Sequence, residues 1–434
     1  MNEQTISITR WNFAEKSLFR FFFIYFLLFF SPIGWLGVIP GINYLVGYYY
    51  QANDWLIRLA NAHLFHIKDQ LVPFNGSGDT SFGWAQVSTF LLLSFVGAGI
   101  WSILDRKRIN YIRLRYWLCL IVRYQLIITC CSYGFIKLFN LQMPFPAYSQ
   151  LATPLGDLLP MRLSWMFLGY SHLYQGFSGA LEVLAAIFLL FRRTSTLGSL
   201  MAAGVFLNVA MLNLSYDIPV KIYSIHSFLL CMFLLIIDRK RLMAFFVLNR
   251  TAEPSLLYEY SPSKKWMRYS KTGLKLLMIY LSFGYNIYGS VEWYQAEASK
   301  RPLPPLQAGL YDVATYVLNK DTLPPLLTDS TRWLNVAIEN DGGGSINTID
   351  TAFRVRYNRS YFAYEPDTSQ QLIRFKRNMY AEPLFSLQYQ VIDSNTISLK
   401  GLRNKDSLFI VLKKSKRHFQ LGEKQFHWLS EANR

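Results

Sequence analysis

The sequence predicts an α-helical membrane bundle of about seven transmembrane helices, followed by a small all-β C-terminal domain that is a barrel or a sandwich. Three observations predict this fold: apolar segments of membrane-spanning length, basic clusters at alternate connections, and period-two patterning after residue 300. About 20 helical residues cross the ~30 Å hydrocarbon layer at 1.5 Å per residue. The seven segments are Leu18–Ile39, Trp84–Leu104, Trp117–Leu138, Tyr174–Phe191, Leu197–Leu214, Ile222–Ile237 and Leu274–Ser290.

Composition supports a polytopic membrane protein over a large soluble one. The 434 residues are 52% hydrophobic and 17% aromatic, a bias typical of membrane proteins. The net charge of +17 is concentrated in short connections beside the apolar segments, where it orients the chain and meets lipid headgroups. We therefore expect the lipid bilayer as a partner and exclude nucleic acid.

The basic clusters predict the topology. They follow alternate segments, at Arg106-Lys107-Arg108, Arg192-Arg193, Arg239-Lys240-Arg241 and Lys264–Lys275, and the first segment is preceded by Arg10, Lys16 and Arg20. Positive charge marks cytoplasmic connections. Placing every cluster in the cytoplasm requires an odd number of spans, a cytoplasmic N-terminus and an extracytoplasmic C-terminal domain.

Changes in patterning divide the chain into four regions. They are a two-span region with an outward loop (1–116), a four-helix membrane core (117–241), a cytoplasmic interfacial segment with the seventh span (242–291) and an extracytoplasmic β-domain (300–434). In the outward loop, Asp54–Ile67 has the spacing of an amphipathic helix. A second outward segment, Asn140–Leu173, is rich in proline, which permits only short helices.

The last region alternates apolar and polar residues and predicts about eight short antiparallel strands. We place them at Leu310–Leu318, Trp333–Glu339, Asn347–Arg354, Tyr361–Tyr364, Gln371–Phe375, Phe385–Ile392, Thr396–Leu399 and Leu408–Leu412.

The four cysteines predict neither a disulfide framework nor a metal site. Cys119, Cys130, Cys131 and Cys231 all lie within predicted spans, where small apolar packing is their expected role. The sequence contains no zinc-binding HExxH, nucleophile elbow or Walker loop.

Four polar residues fall at comparable depth in the predicted spans: Arg123, Glu182, Asn208 and His226. They lie about 12 to 18 Å from the inner helix ends. Because ionisable groups are costly in hydrocarbon, they mark a site or a buried pair. Two hypotheses remain open: a polar pocket that holds a headgroup or relays protons, with Arg123 as the counter-charge of Glu182, or an Arg123–Glu182 pair that only locks the helices. His226 alone is also consistent with a hydrogen-bonded core residue.

A second polar cluster is expected at the outer face, formed by Lys137, Asn213, Tyr216, Asp217 and Lys221. Asp217 and Lys221 have the spacing of a simple interfacial ion pair. The alternative is a mouth in which Lys137 and Lys221 admit an anionic or quinone-like headgroup.

Several strings resemble the DoxX-like family of bacterial integral membrane proteins, in a longer subgroup with a C-terminal extracytoplasmic domain. They are Tyr133-Gly134-Phe-Ile-Lys137, Gly179-Ala-Leu-Glu182, Arg192-Arg193-Thr-Ser-Thr-Leu-Gly198 and Asn208-Val-Ala-Met-Leu-Asn213. The resemblance implies a four-helix unit over Trp117–Ile237 and a bacterial plasma (inner) membrane. The family's lysine, glutamate and Arg-Thr turn correspond to Lys137, Glu182 and Arg193-Thr194.

The family name comes from a membrane subunit associated with a quinone-linked oxidase, so the resemblance implies a redox-accessory role, with a quinone or another lipid-like ligand bound near Glu182 and His226. A second hypothesis is a non-enzymatic envelope anchor whose domain 300–434 binds a partner or ligand. A third is an enzyme resembling membrane carboxylases, which also join a bundle to an exterior β-domain. Whether the chain catalyses a reaction stays open at this point.

Overall fold

The computed structural model describes residues 10–252, 260, 262, 264–301, 303–326, 331–423, 426–429 and 431. The chain forms two compact units. The helical unit comprises Met1–Phe139 and Gly176–Ser290, and the second unit comprises Asn140–Gln175 and Val291–Arg434.

Twelve α-helices lie in the described residues. They are α1 (Phe13–Phe30), α2 (Ile42–Ala60), α3 (Ser81–Leu104), α4 (Ile112–Leu138), α5 (Tyr148–Leu151), α6 (Pro160–Tyr170), α7 (His172–Leu190), α8 (Ser195–Ser215), α9 (Lys221–Ile237), α10 (Arg239–Leu242), α11 (Lys265–Ile279) and α12 (Tyr285–Ser299). Most belong to the first unit, whereas α5 and α6 belong to the second. The predicted amphipathic helix over Asp54–Ile67 is confirmed. It begins earlier, at Ile42, and ends in a π-helical turn at Asn61–Phe65.

Five helices among the described residues are long and apolar enough to cross a membrane, as expected for a multi-pass membrane protein. They are Phe13–Gly37, which includes a 3-10 extension of α1, together with α3, α4, α7 and α8. Helix α9 reaches membrane-spanning length only if it is joined to Arg239–Val247, from which it is bent by 77°. The segment predicted as the seventh span, Leu274–Ser290, is helical with a π-helical turn at Tyr280–Gly284, but it is not among the helices that are long and apolar enough to cross a membrane. A count of seven spans is therefore not confirmed.

Local sequence explains where the first helix begins and how it is held. Asn12 and Glu15 form a reciprocal cap in which the Glu15 amide donates to Asn12 Oδ1 at 2.7 Å, satisfying an amide that would otherwise lack a partner. One turn later the buried Arg20 donates to Tyr111 Oη and to Ser102 Oγ at 2.7 to 3.0 Å. These bonds tie α1 to α3 and to the residue before α4.

Ten antiparallel strands lie in the described residues of the second unit. They are β1 (Gly309–Leu318), β2 (Asp321–Thr322), β3 (Asn335–Ile338), β4 (Gly343–Ile346), β5 (Arg354–Arg356), β6 (Arg359–Asp367), β7 (Leu372–Lys376), β8 (Pro383–Asp393), β9 (Thr396–Arg403) and β10 (Asp406–Lys414). Eight of them close into a barrel in the order β1-β3-β4-β6-β7-β8-β9-β10, because β10 also pairs with β1. The expected all-β domain is therefore a barrel.

Side chains fill the barrel interior. Trp333, Tyr316, Tyr364 and Phe375 are among twenty buried residues that form one continuous apolar core. Aromatic rings of this size pack closely and can fill the interior of an eight-stranded barrel.

One predicted strand is wrong. Asn347–Arg354 lies mostly in turns, and β4 forms instead at Gly343–Ile346, although consecutive glycines are typical of a turn. The hairpin is tight because Gly342 adopts a φ of +77°, a conformation that favours glycine. Gly344 belongs in the strand because any Cβ there would lie 2.5 Å from the Phe362 ring.

A buried cation stabilises the same side of the barrel. Arg359 on β6 donates to Ser345 Oγ at 2.8 Å, to the Ser345 carbonyl at 3.1 Å and to Asn335 Oδ1 at 2.9 Å. Desolvation lowers the pKa of Arg359 to about 10.

The proline-rich segment forms the short helices that its sequence predicts and packs on the barrel within the second unit. The backbone amides of Tyr148 and Ser149 donate to the Glu339 carboxylate at 3.2 and 2.8 Å. Arg162 donates to Tyr357 Oη at 3.1 Å. Burial raises the pKa of Glu339, although the two amides act in the opposite direction.

Candidate functional site

The strongest candidate site is a buried ion pair between two membrane helices. Lys137 on α4 donates to Glu182 Oε1 on α7 at 2.5 Å, and the two side chains are only 7% and 1% exposed. The other carboxylate oxygen, Oε2, is buried and accepts no hydrogen bond from any residue that the structure describes. The Lys137 ammonium also lies 5.9 Å from the centre of the Tyr133 ring.

Two glycines bring this pair together. A Cβ on Gly179 would lie 2.5 Å from the Gly134 carbonyl oxygen, and one on Gly134 would lie 2.7 Å from Val183. Glycines at such a crossing let two helix backbones touch. Lys137 and Glu182 each follow their glycine by three residues, so both project from the crossing one helical turn later.

A chain of polar side chains extends from the pair through the bundle. The rings of Tyr133 and Tyr223 lie 6.1 Å apart, and Tyr223 Oη shares a hydrogen bond with Thr129 Oγ1 at 2.8 Å. Gln125 donates to Thr129 Oγ1 at 3.4 Å and accepts from Trp35 Nε1 at 3.3 Å. Polar groups of this kind are held in hydrocarbon only where they bond to one another.

The predicted pairing of Glu182 with Arg123 is wrong. Arg123 Nη2 donates to the carbonyl of Leu190, at the end of α7, at 3.3 Å. Leu190 lies eight residues beyond Glu182, or about 12 Å along the helix. Arg123 is therefore level with the end of α7, whereas the counter-charge of Glu182 is Lys137, fourteen residues farther along α4.

Asn208 does not line the bundle interior. It is exposed on α8, whereas Phe206 and Ala210, two residues to either side, are buried. Two residues correspond to about 200° around a helix, so Asn208 faces away from the core.

His226 is buried in an aromatic cluster, and its hydrogen bonds in the described structure involve neither Lys137 nor Glu182. Its Nε2 lies 2.5 Å from Tyr25 Oη and its Nδ1 lies 2.6 Å from the carbonyl of Ile222. The imidazole stacks on Phe29 with ring centres 3.9 Å apart. Both ring nitrogens are occupied, which agrees with the core-residue hypothesis for His226.

The predicted outer cluster divides into separate contacts. Asn213 is buried and donates to Ser224 Oγ at 2.9 Å, whereas Tyr216 is 37% exposed. Lys221 pairs with the highly exposed Asp217 at 2.7 Å, as the interfacial-pair hypothesis expected. Lys137 belongs to the buried pair, so it does not form a mouth with Lys221.

Sequence reasoning missed the role of Asp79. Its two oxygens accept from the backbone amides of Lys221 at 2.8 Å and Ile222 at 2.9 Å, the first amides of α9. A carboxylate satisfies these unpaired amides and favours the positive end of the helix dipole. Pro219 also accepts from the Gly78 amide at 2.8 Å, so the turn before α3 fixes the start of α9.

The Lys137–Glu182 pair can bind a polar headgroup by hydrogen bonds. Glu182 Oε2 offers an acceptor, and the ammonium has three N–H groups, of which one meets Oε1. Among the described residues, no three histidine, cysteine, aspartate or glutamate side chains come together as a metal site would require.

The chain is similar to one curated protein over a limited stretch. The uncharacterized protein YwoB of Bacillus subtilis (strain 168) is 38% identical over 84 residues, which are 19% of this chain and 54% of that protein. The chain thus spans about half the length of this curated relative. No protein-family model matches the chain, and no solved structure matches it.

Proposed function

We propose that this protein binds a quinone, or another lipid-like molecule with a polar headgroup, at the Lys137–Glu182 pair, and serves as a redox-accessory protein of the bacterial plasma membrane. The observation that supports this most is the unpartnered Glu182 Oε2. A pair that served only to lock two helices would be expected to satisfy both carboxylate oxygens, because a buried acceptor without a donor is costly.

Quinone chemistry suits these two groups. The Glu182 oxygen would accept from a quinol hydroxyl, and the Lys137 ammonium would donate to a quinone carbonyl. The neighbouring Tyr133 ring offers a flat surface for the quinone ring. One site would thereby favour both redox forms through different partners.

The proposal includes the membrane topology that the sequence predicts. We place seven spans in the membrane, with the N-terminus in the cytoplasm and the β-barrel outside. The clustering of Arg115, Arg192 and Arg268 around one cavity of the helical unit supports a common side for the basic connections. The DoxX-like core over Trp117–Ile237 is part of the same proposal, and its lysine and glutamate positions are the two that pair.

The test is native mass spectrometry with lipid extraction on the gently purified full-length protein. We expect wild type to retain a quinone and Glu182→Gln to retain at least about tenfold less, because the acceptor loses its charge. Asp217→Asn makes the same chemical change at an exposed carboxylate and should leave retention unchanged. Equal retention by wild type and Glu182→Gln, or no quinone in wild type, contradicts the proposal.

The filled barrel favours a second candidate function, in which the exterior domain binds an envelope partner. Because its interior is packed with side chains, such binding would use the outer surface of the barrel or its loops. A site-specific photo-crosslinker replacing the exposed Leu402 in the full-length protein tests this. A single reproducible adduct supports the function, provided that a crosslinker at the buried Leu399 gives none; the same adducts from both positions contradict it.

A further inference from the structure

A cavity of about 690 Å³ lies in the helical unit, away from the Lys137–Glu182 pair. The ends of α4, α7, α8, α9 and α11 line it. Arg123, which lines the cavity, is fourteen residues from Lys137 on the same helix, or about 21 Å. The cavity and the ion pair are therefore separate places in the fold.

The cavity is strongly basic. Among the described residues that line it, six are cationic: Arg115, Arg123, Arg192, Arg268, Lys271 and Lys275. Asp238 is the acidic residue among them, and it accepts from Thr196 and pairs with Arg241 at 3.3 Å. Six positive charges against one carboxylate that already has partners favour an anion in this space.

Arg123 gives the cavity a donor without a partner. Its Nη2 donates to Leu190, but its Nε is buried and meets no acceptor in the part of the chain that the structure describes. A guanidinium presents its donors as a rigid fork that matches phosphate or carboxylate oxygens.

The other walls are apolar. Trp117, Leu120, Leu234 and Ile237 line the same space as the cations. A soluble phosphate needs only the charged part, whereas a phospholipid would bury its acyl chains against these residues. Basic pockets between transmembrane helices are a known form of anionic-headgroup site.

We infer that this cavity binds the phosphate headgroup of an anionic membrane phospholipid, with Arg123 as a direct phosphate ligand. The inference does not rest on quinone binding, because it concerns a different ligand and different residues. It assigns the basic helix ends a specific site in addition to their effect on topology.

The experiment uses the full-length protein in mild detergent, supplied with phosphatidylglycerol or phosphatidylcholine of identical acyl chains and analysed by native mass spectrometry. We expect wild type to retain phosphatidylglycerol about tenfold more than phosphatidylcholine. Arg123→Gln should lower phosphatidylglycerol retention about fivefold, the effect of one cation near an anionic headgroup. If that variant fails to fold, Lys275→Gln, on the exposed side of the lining, replaces it.

Arg106→Gln is the matched control, because Arg106 is exposed in the connection after α3 and does not line the cavity. It should leave retention unchanged. Equal retention of the two lipids by wild type, or the same loss in Arg106→Gln as in Arg123→Gln, overturns the inference. Inorganic phosphate that displaces phosphatidylglycerol, with the same dependence on Arg123, would assign the site to a soluble phosphate and would also overturn it.

Discussion

The helix bundle and the β-barrel each bury a cation, and they satisfy it in opposite ways. Arg359 in the barrel has no carboxylate among its hydrogen-bond partners in the described structure; a hydroxyl, a carbonyl and an amide oxygen accept its donors. Lys137 in the bundle meets a full counter-charge, yet one oxygen of that carboxylate accepts no hydrogen bond from any residue that the structure describes. A fully satisfied buried charge is typical of structural stabilisation, whereas an incompletely satisfied one is more often found at a site.

The largest effect should come from breaking the bundle pair. We expect Lys137→Met to lower the free energy of unfolding by about 3–5 kcal/mol, because it leaves the Glu182 carboxylate buried without a counter-charge. Denaturation of the detergent-solubilised full-length protein measures this. The double variant Lys137→Met/Glu182→Leu should recover most of the loss, since neither charge remains. A double variant as unstable as the single one would mean that the pair is kept for stability.

A smaller loss is expected in the barrel. Arg359→Met removes three hydrogen bonds of a buried side chain and should destabilise the surrounding strands by about 3 kcal/mol. Hydrogen exchange of the full-length protein should report faster exchange in 343–346 and 359–367. Arg377→Met is the control, because Arg377 is exposed and donates a single bond to the Ala352 carbonyl. Unchanged exchange in Arg359→Met would remove the contrast between the two buried cations.

The smallest effect concerns pH at Glu339. Because burial raises its pKa above the ordinary 4.5, the folded protein holds this proton more tightly than the unfolded chain does. Its contribution to stability therefore falls as pH rises through the window between these two pKa values. Protection of the Tyr148–Leu151 amides, measured from about pH 4 to 7, should decline in wild type relative to Glu339→Gln.

Glu365 serves as a control because its pKa is shifted in the opposite direction. Its hydrogen bond and ion pair with Lys376 lower its pKa, so its contribution grows as pH rises from the folded-state pKa to the ordinary value. Glu365→Gln should therefore shift the pH dependence in the other direction. The same slope in both variants would contradict the assignment to Glu339.

The spans were the easiest part to predict, because length and apolar composition alone determine whether a helix can cross a membrane. Five predicted segments meet that criterion in the structure. The predicted sixth and seventh segments do not meet it alone: α9 is short, and the helices on either side of Tyr280–Gly284 are not apolar enough over a membrane-spanning length. The strand β4 at Gly343–Ile346 was not predicted, because consecutive glycines are typical of a turn; the sequence predicted a strand at Asn347–Arg354 instead.

The partner of Glu182 could not be predicted from depth alone. The rise per residue gives the level of a side chain but neither its direction nor the place where two helices cross. One signal was present: Gly134-x-x-Lys137 and Gly179-x-x-Glu182 have the same spacing with opposite charges. Two such motifs on adjacent helices predict a close crossing with an ion pair one turn away. Asp79 had no comparable signal, since its contacts with α9 span about 140 residues of chain.

The closure of the barrel limits how another protein could attach to it. Each of its eight strands has a neighbour on both sides, including β1 and β10, which pair with each other. A partner therefore cannot add a strand to the closed ring itself, the route by which many extended peptides are recruited; among the described strands, β2 and β5 each pair with a single strand, and both are only two or three residues long. Recognition of the ring would instead depend on side chains and loops, so its specificity can diverge by surface substitution while the hydrogen-bonded ring of strands stays unchanged.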